Sequence, residues 1–91
     1  MGSKGRTGQP MTSREHASKG VWVDLRAIFG SAGRSAEGID LDAPTPGGLF
    51  EWLRLGDGGW AARVTYVATM TDGSTRKFVD QLVPAEALRP R

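Results

Sequence analysis

Between Thr45 and Pro84 the chain carries two β-hairpins in succession, and no other stretch restricts the fold as tightly. Leu49 to Leu55, Trp60 to Met70 and Thr75 to Val83 are rich in apolar and β-branched residues, and they are separated by Gly56-Asp57-Gly58-Gly59 and Thr71-Asp72-Gly73-Ser74. Asp-Gly at the centre of so short a connection is hairpin chemistry, because Gly adopts positive φ without a Cβ clash and Asp tolerates it. A two-residue Asp57-Gly58 turn pairs Leu55 with Trp60, Leu53 with Ala62, Glu51 with Val64 and Leu49 with Tyr66 on one face. It pairs Arg54 with Ala61, Trp52 with Arg63 and Phe50 with Thr65 on the other. The same register carried through Asp72-Gly73 sets Tyr66 opposite Val79 and Val67 opposite Phe78. The first face is the expected core. Glu51 falls on it, so its carboxylate must be ion-paired, lie at the rim, or be re-aimed by a bulge.

The flanks are read from periodicity and composition. Val21 to Phe29 alternates Val21, Val23, Leu25, Ala27 and Phe29 with Trp22, Asp24, Arg26 and Ile28, a period of two that predicts a strand. Gly30 to Gly48 has no periodic run except Ile39 to Asp42 and predicts a long surface loop of the kind that often faces a ligand. Pro84 suits the first turn of a short helix and Pro90 blocks any continuation, so Leu82 to Pro90 predicts one helical turn and a last short strand.

With 91 residues there is room for one domain and a small core, and little for a deep catalytic cleft. The chain has no cysteine, which excludes disulfides and thiolate chemistry. It contains no apolar run of spanning length, and no apolar stretch follows the first lysines and arginines, so a soluble cytoplasmic protein that does not enter membranes is the expectation. The net charge of +2 is unevenly spread. Residues 1–20 hold Lys4, Arg6, Arg14 and Lys19 against Glu15 alone, while residues 21–91 hold eight basic and nine acidic side chains. Residues 1–19 are otherwise Gly, Ser and Thr with almost nothing apolar, and predict a disordered basic arm ahead of a domain over residues 20–91.

The order of strand, long acidic loop, strand, short turn, strand, tight hairpin, strand, helical turn and short strand resembles the SH3-like barrel over Gly20 to Pro90. Trp60-Ala61-Ala62-Arg63 and Leu82-Val83-Pro84-Ala85-Glu86-Ala87-Leu88 carry the resemblance. It implies an all-β fold: a small five-stranded SH3-like barrel with one short helical turn near the C-terminus. The first strand reads Val21-Asp24-Leu25 where peptide-binding SH3 domains have an aromatic-Asp-aromatic motif, so the likeness is one of architecture. Thr45-Pro46-Gly47 with Glu51-Trp52, and the closing Val83 to Pro90, are also similar to segments of small actinobacterial proteins of mobile elements, a likeness that implies no activity.

These residues offer two binding surfaces. Trp22, Phe50, Trp52 and Arg63, with Asp40 and Asp42 of the loop, form an aromatic and arginine face with an acidic border, suited to a protein or peptide partner or to a second copy in a homodimer. Alternatively Lys4, Arg6, Arg14 and Lys19 of the arm join Arg54, Arg76 and Lys77 in contacting nucleic-acid phosphates. Catalysis is not expected: the lone histidine, His16, lies in the arm, and no nucleophile elbow, P-loop or carboxylate dyad is present. Three acids, Glu37, Asp40 and Asp42, are too few oxygen ligands for a hard cation, so neither metal nor cofactor is expected.

Overall fold

The computed structural model describes residues 18–30, 35 and 37–91. Strand β1 is Lys19–Val23, helix α1 is Leu25–Phe29, β2 is Pro46–Arg54, β3 is Trp60–Thr69 and β4 is Thr75–Pro84. A 3-10 turn, Ala85–Ala87, leads into β5, Leu88–Pro90. The five strands form one antiparallel sheet in the order β4-β3-β2-β1-β5. The fold is therefore all-β, as the hairpins require, with the helical turn and short last strand where Pro84 and Pro90 predict them. The sheet is open, with β4 and β5 at its edges, so strand pairing does not make the expected closure into a barrel.

Both hairpins turn through three residues rather than two. At the first, Leu55 N–H donates to the Gly59 carbonyl (2.8 Å) and Gly58 N–H to the Leu55 carbonyl (3.0 Å). At the second, Met70 N–H donates to Ser74 O (2.7 Å) and Gly73 N–H to Met70 O (2.9 Å). The glycine of each Asp-Gly pair closes the loop in the left-handed region, with φ of 93° at Gly58 and 91° at Gly73. This is the three-residue loop of a type I turn followed by a glycine bulge. The aspartates brace it: Asp57 Oδ1 accepts from Gly59 N–H (2.9 Å), and Asp72 Oδ1 accepts from Ser74 N–H (2.9 Å) and Ser74 Oγ (2.6 Å).

The extra loop residue slips each register by one. Arg54 pairs with Trp60, Leu53 with Ala61, Trp52 with Ala62 and Glu51 with Arg63, so Trp52 and Arg63 are not opposite one another. A one-residue slip exchanges faces. It carries Glu51 off the core, and a β-bulge between Leu49 and Glu51 then returns Leu49 to the core opposite Val64. In the second hairpin Tyr66 pairs with Phe78 and Val67 with Lys77, and a bulge between Val64 and Tyr66 realigns the rest so that Ala62 meets Val83. The core comprises Val21, Val23, Leu25, Leu49, Ala62, Val64, Tyr66, Ala68, Val83 and Ala87. Leu53, Trp60 and Val79, assigned to the core from the two-residue turn, are exposed.

The expected strand Val21–Phe29 ends at Val23. Asp24 has the extended backbone of an N-cap, its carboxylate accepts from Ala27 N–H (3.2 Å), and Leu25–Phe29 coils into one short helix that Gly30 stops at φ 76°. Asp24 N–H is taken by the Ala87 carbonyl (2.8 Å), and Leu25 is buried against the turn that holds Ala87. Capping and this burial override the period-two pattern. The expected loop also ends early. β2 begins at Pro46, Thr45 is buried with its hydroxyl donating to Ala43 O (3.1 Å), and Ile39 bridges Met70 at the end of β3. Among the described residues no helix is long and apolar enough to cross a membrane.

Candidate binding face

The residues expected to form one aromatic and arginine face are distributed over three places. Trp22 stands on β1 between the inward-facing Val21 and Val23, 40% exposed, with the Arg91 guanidinium 5.7 Å from its ring centre. Arg91 is held by its own contacts, its backbone N–H to Gly20 O (3.1 Å) and Nη2 to Gly47 O (3.1 Å). Trp22 and Asp42 line a shallow depression with Leu41, Pro44 and Arg89. Asp42 is not a free carboxylate there, because it takes a two-pronged ion pair from Arg26 on α1, Nε to Oδ1 and Nη2 to Oδ2, the latter at 2.9 Å. That hydrogen bond, with the nearby charges of Asp40 and Asp24, raises the Arg26 pKa further above its ordinary value. Asp40 is likewise engaged, its Oδ1 accepting from Asp42 N–H (3.0 Å). The acidic loop is thus tied largely to itself and to α1.

Phe50 and Arg63 do meet, but in an internal arrangement. Arg63 donates through Nε to Glu51 on β2 (2.9 Å) and through Nη1 to Asp80 on β4 (2.7 Å), and its guanidinium lies 5.2 Å from the Phe50 ring centre. The two hydrogen bonds raise the Arg63 pKa, Glu51 contributing most. Asp80 is the residue that the bulge of β4 lifts into the left-handed region, at φ 57°, and its N–H is taken by Thr65 Oγ1 (3.1 Å). Arg63 therefore spans three strands as a brace, with its Nε and one Nη1 donor engaged by carboxylates of the neighbouring strands. Glu51, which fell on the core face of the two-residue register and so had to be paired, at the rim or re-aimed by a bulge, is one end of that brace.

Trp52 has different neighbours from those expected, and they include the residue that sequence reasoning missed. Successive side chains alternate across a strand and paired residues share a face, so the pairs Trp52–Ala62 and Arg54–Trp60 put all four on one face. Ala62 is fully buried, whereas Trp52 is 47% and Trp60 45% exposed. The core face of the sheet thus runs out into two half-exposed indoles at the end nearest the first hairpin loop. Over Trp60 lies the Arg54 guanidinium, 4.4 Å from the ring centre and donating through Nη1 to Gly58 O at 3.4 Å. A signal for Trp60 was present in the sequence. A tryptophan directly after Gly58-Gly59 begins its strand at the sheet's end, where cover is thinnest.

The described cations of the alternative surface, Lys19, Arg54, Arg76 and Lys77, are spread over the sheet. Arg76 pairs with Ala68 and Arg54 with Trp60, eight residues apart along β3, which at strand rise is about 27 Å. Arg76 and Lys77 are consecutive and point to opposite faces, and Lys19 is on β1 opposite Leu49. Lys4, Arg6 and Arg14 lie outside the described residues. Among the described residues no group of three or more His, Cys, Asp or Glu is placed to hold a metal ion.

Fold and surface together define a small antiparallel all-β domain with an exposed tryptophan pair at one end of its sheet. No protein-family model matches the chain, and no curated protein or solved structure matches it significantly.

Proposed function

We propose that this chain is a non-catalytic binding module that holds a protein or peptide partner on the Trp52, Arg54 and Trp60 end of its sheet. The observation that carries the reading is the pair of half-exposed indoles, Trp52 and Trp60, on one face and continuous with the core. Tryptophan and arginine are the side chains most enriched where binding energy is concentrated, since each supplies large rigid contact area with directed polar groups. Two such indoles on so small a domain are an apolar patch that association would cover. In this reading Trp52 keeps its expected role. Phe50 and Arg63 stiffen the sheet behind it, and Trp22 with Asp42 borders a separate depression.

The test is a comparison of the wild-type chain with a Trp52→Ala/Trp60→Ala variant, each immobilised and used to capture proteins from a cytoplasmic extract. The expected result is a partner retained by the wild type and lost by a variant whose melting temperature is within a few degrees of it. A partner captured equally by both overturns the assignment to this face.

The nucleic-acid reading has one observation in its favour: Arg54, Arg76 and Lys77 join none of the ion pairs found among the described residues. Counterion release gives it a plain signature, an affinity for DNA that falls steeply with salt.

A further inference from the structure

We infer, building on the binding-module reading above, that the partner of the Trp52 and Trp60 face is an acidic-apolar peptide segment, and that Arg54 selects it. The strand arginines divide into two kinds. Arg63 is paired with two carboxylates, whereas among the described residues Arg54 has no carboxylate partner and only a 3.4 Å contact to a backbone carbonyl. The two acids nearest to Arg54 in sequence are engaged elsewhere. Glu51 is paired with Arg63 on the opposite face, and Asp57 Oδ1 is turned onto Gly59 N–H inside the hairpin loop. The face therefore presents apolar area and one unneutralised cation.

Arg54 is also held in a posture that leaves its donors available. Its guanidinium lies over the Trp60 ring, and a guanidinium stacked on an aromatic still directs its in-plane N–H groups outward. A carboxylate approaching along that plane is bound in a two-pronged, charge-assisted manner without displacing the stack. A purely apolar partner would bury Arg54 unpaired, and a basic partner would set like charges together; both are penalised. A polynucleotide meets the same arginine, but of its described companions in the nucleic-acid reading Arg76 is about 27 Å along the sheet. A peptide needs only one carboxylate next to its aromatic or aliphatic side chains.

The experiment follows the indole N–H signals of the full-length 15N-labelled chain by NMR during titration with four probes. These are a glutamate–tyrosine copolymer, polyglutamate, a lysine–tyrosine copolymer and oligodeoxythymidine. The expected result is that the glutamate–tyrosine copolymer moves the Trp52 and Trp60 signals and leaves Trp22 in place, and that Arg54→Glu weakens this binding about tenfold or more. Arg54→Gln, which removes the charge but keeps an aliphatic stem with a polar end, guards against loss of fold, and both variants should melt with the wild type. Equal response to the lysine–tyrosine copolymer overturns the choice of charge while leaving the face as a binding face. Equal response to polyglutamate removes the apolar requirement, and a stronger response to oligodeoxythymidine replaces the peptide by a nucleic acid. Silence toward all four overturns the acidic-apolar assignment, and the extract comparison with the Trp52→Ala/Trp60→Ala variant then decides separately whether the face binds a partner at all.

Discussion

Arg63 reaches across from β3 to Asp80, and the contact exists because the bulge of β4 holds Asp80 at φ 57°. Left-handed backbone costs an ordinary L-residue roughly 1–2 kcal/mol, less for Asp or Asn, whose short polar side chains bond locally. An exposed ion pair contributes about 0.2–1 kcal/mol. The two contributions separate by substitution. Asp80→Asn keeps the backbone tolerance and gives up the charge, so a loss of about 0.5 kcal/mol is expected. Asp80→Val gives up both and should lose about 2 kcal/mol. Equal losses in urea unfolding would show that backbone conformation is not what selects this residue.

Gly47 lies where β1, β2 and β3 pass closest. It pairs with Val21 on one side and Tyr66 on the other, and a Cβ there would stand 3.0 Å from Thr65 O, 3.1 Å from Tyr66 Cβ and 3.2 Å from Val64 Cγ1. Two of those neighbours belong to the core and the third is backbone, so none yields cheaply. Gly47→Ala should destabilise the protein by about 1–3 kcal/mol. Gly48 is the control, since the nearest atoms to its added Cβ belong to the Ser18 side chain, at 3.3 Å, and to Phe50, at 3.8 Å. Gly48→Ala should change stability by less than about 0.5 kcal/mol.

How far these relationships were legible in the sequence differs from residue to residue. The two Asp-Gly pairs announced both hairpins and, with them, most of the sheet. What they did not announce was loop length: Asp-Gly serves a two-residue turn and a three-residue turn equally well, and the difference of one residue decides which face Glu51, Trp52 and Leu53 of β2 occupy. The bulges at Phe50 and Asp80 then restore the core register, and neither position carries the glycine that would have marked it. The helix Leu25–Phe29 was hidden because alternation of Val, Leu and Phe is strand-like until Asp24 caps it. Arg63 was identified as part of the site by its aromatic neighbour. Its true partners, Glu51 and Asp80, are displaced by the slip and by the second bulge, and pairwise reading from the turns could not place them. Trp52, expected on the aromatic and arginine face, is 47% exposed and shares its face with Arg54, while the expected pairing with Arg63 is lost to the slip.

The second hairpin loop should respond to acid. Hydrogen bonds from Ser74 Oγ and Ser74 N–H lower the Asp72 pKa below its ordinary value. A carboxylate with a depressed folded-state pKa contributes stability that is present above its unfolded pKa, about 3.9, and lost as pH falls through the folded value. Ser74→Ala removes one of the two donors, so wild type and variant should differ in melting temperature at neutral pH and converge as the pH drops below about 3.9. Curves that stay parallel to low pH would mean that Ser74 acts on the turn without the charge of Asp72.

Tyr66 titrates at the other end of the scale. It is nearly buried, its ring centre lies 5.6 Å from that of Phe78, and burial raises its pKa above the ordinary value near 10. For an acid with a raised folded-state pKa the neutral form is favoured in the fold. Its contribution is therefore complete below the unfolded pKa and declines as pH rises past about 10, where the unfolded chain ionises first. Tyr66→Phe keeps the ring beside Phe78 and removes the ionisation. As the pH rises past about 10 the wild type should lose stability by more than Tyr66→Phe does, measured by urea unfolding at each pH. Because the ring pair exists only in the register set by the three-residue loop, Phe78→Ala checks that register. A tyrosine opposite Val79, as a two-residue turn would have it, would have no ring beside it, and Phe78→Ala would then leave its alkaline titration unchanged.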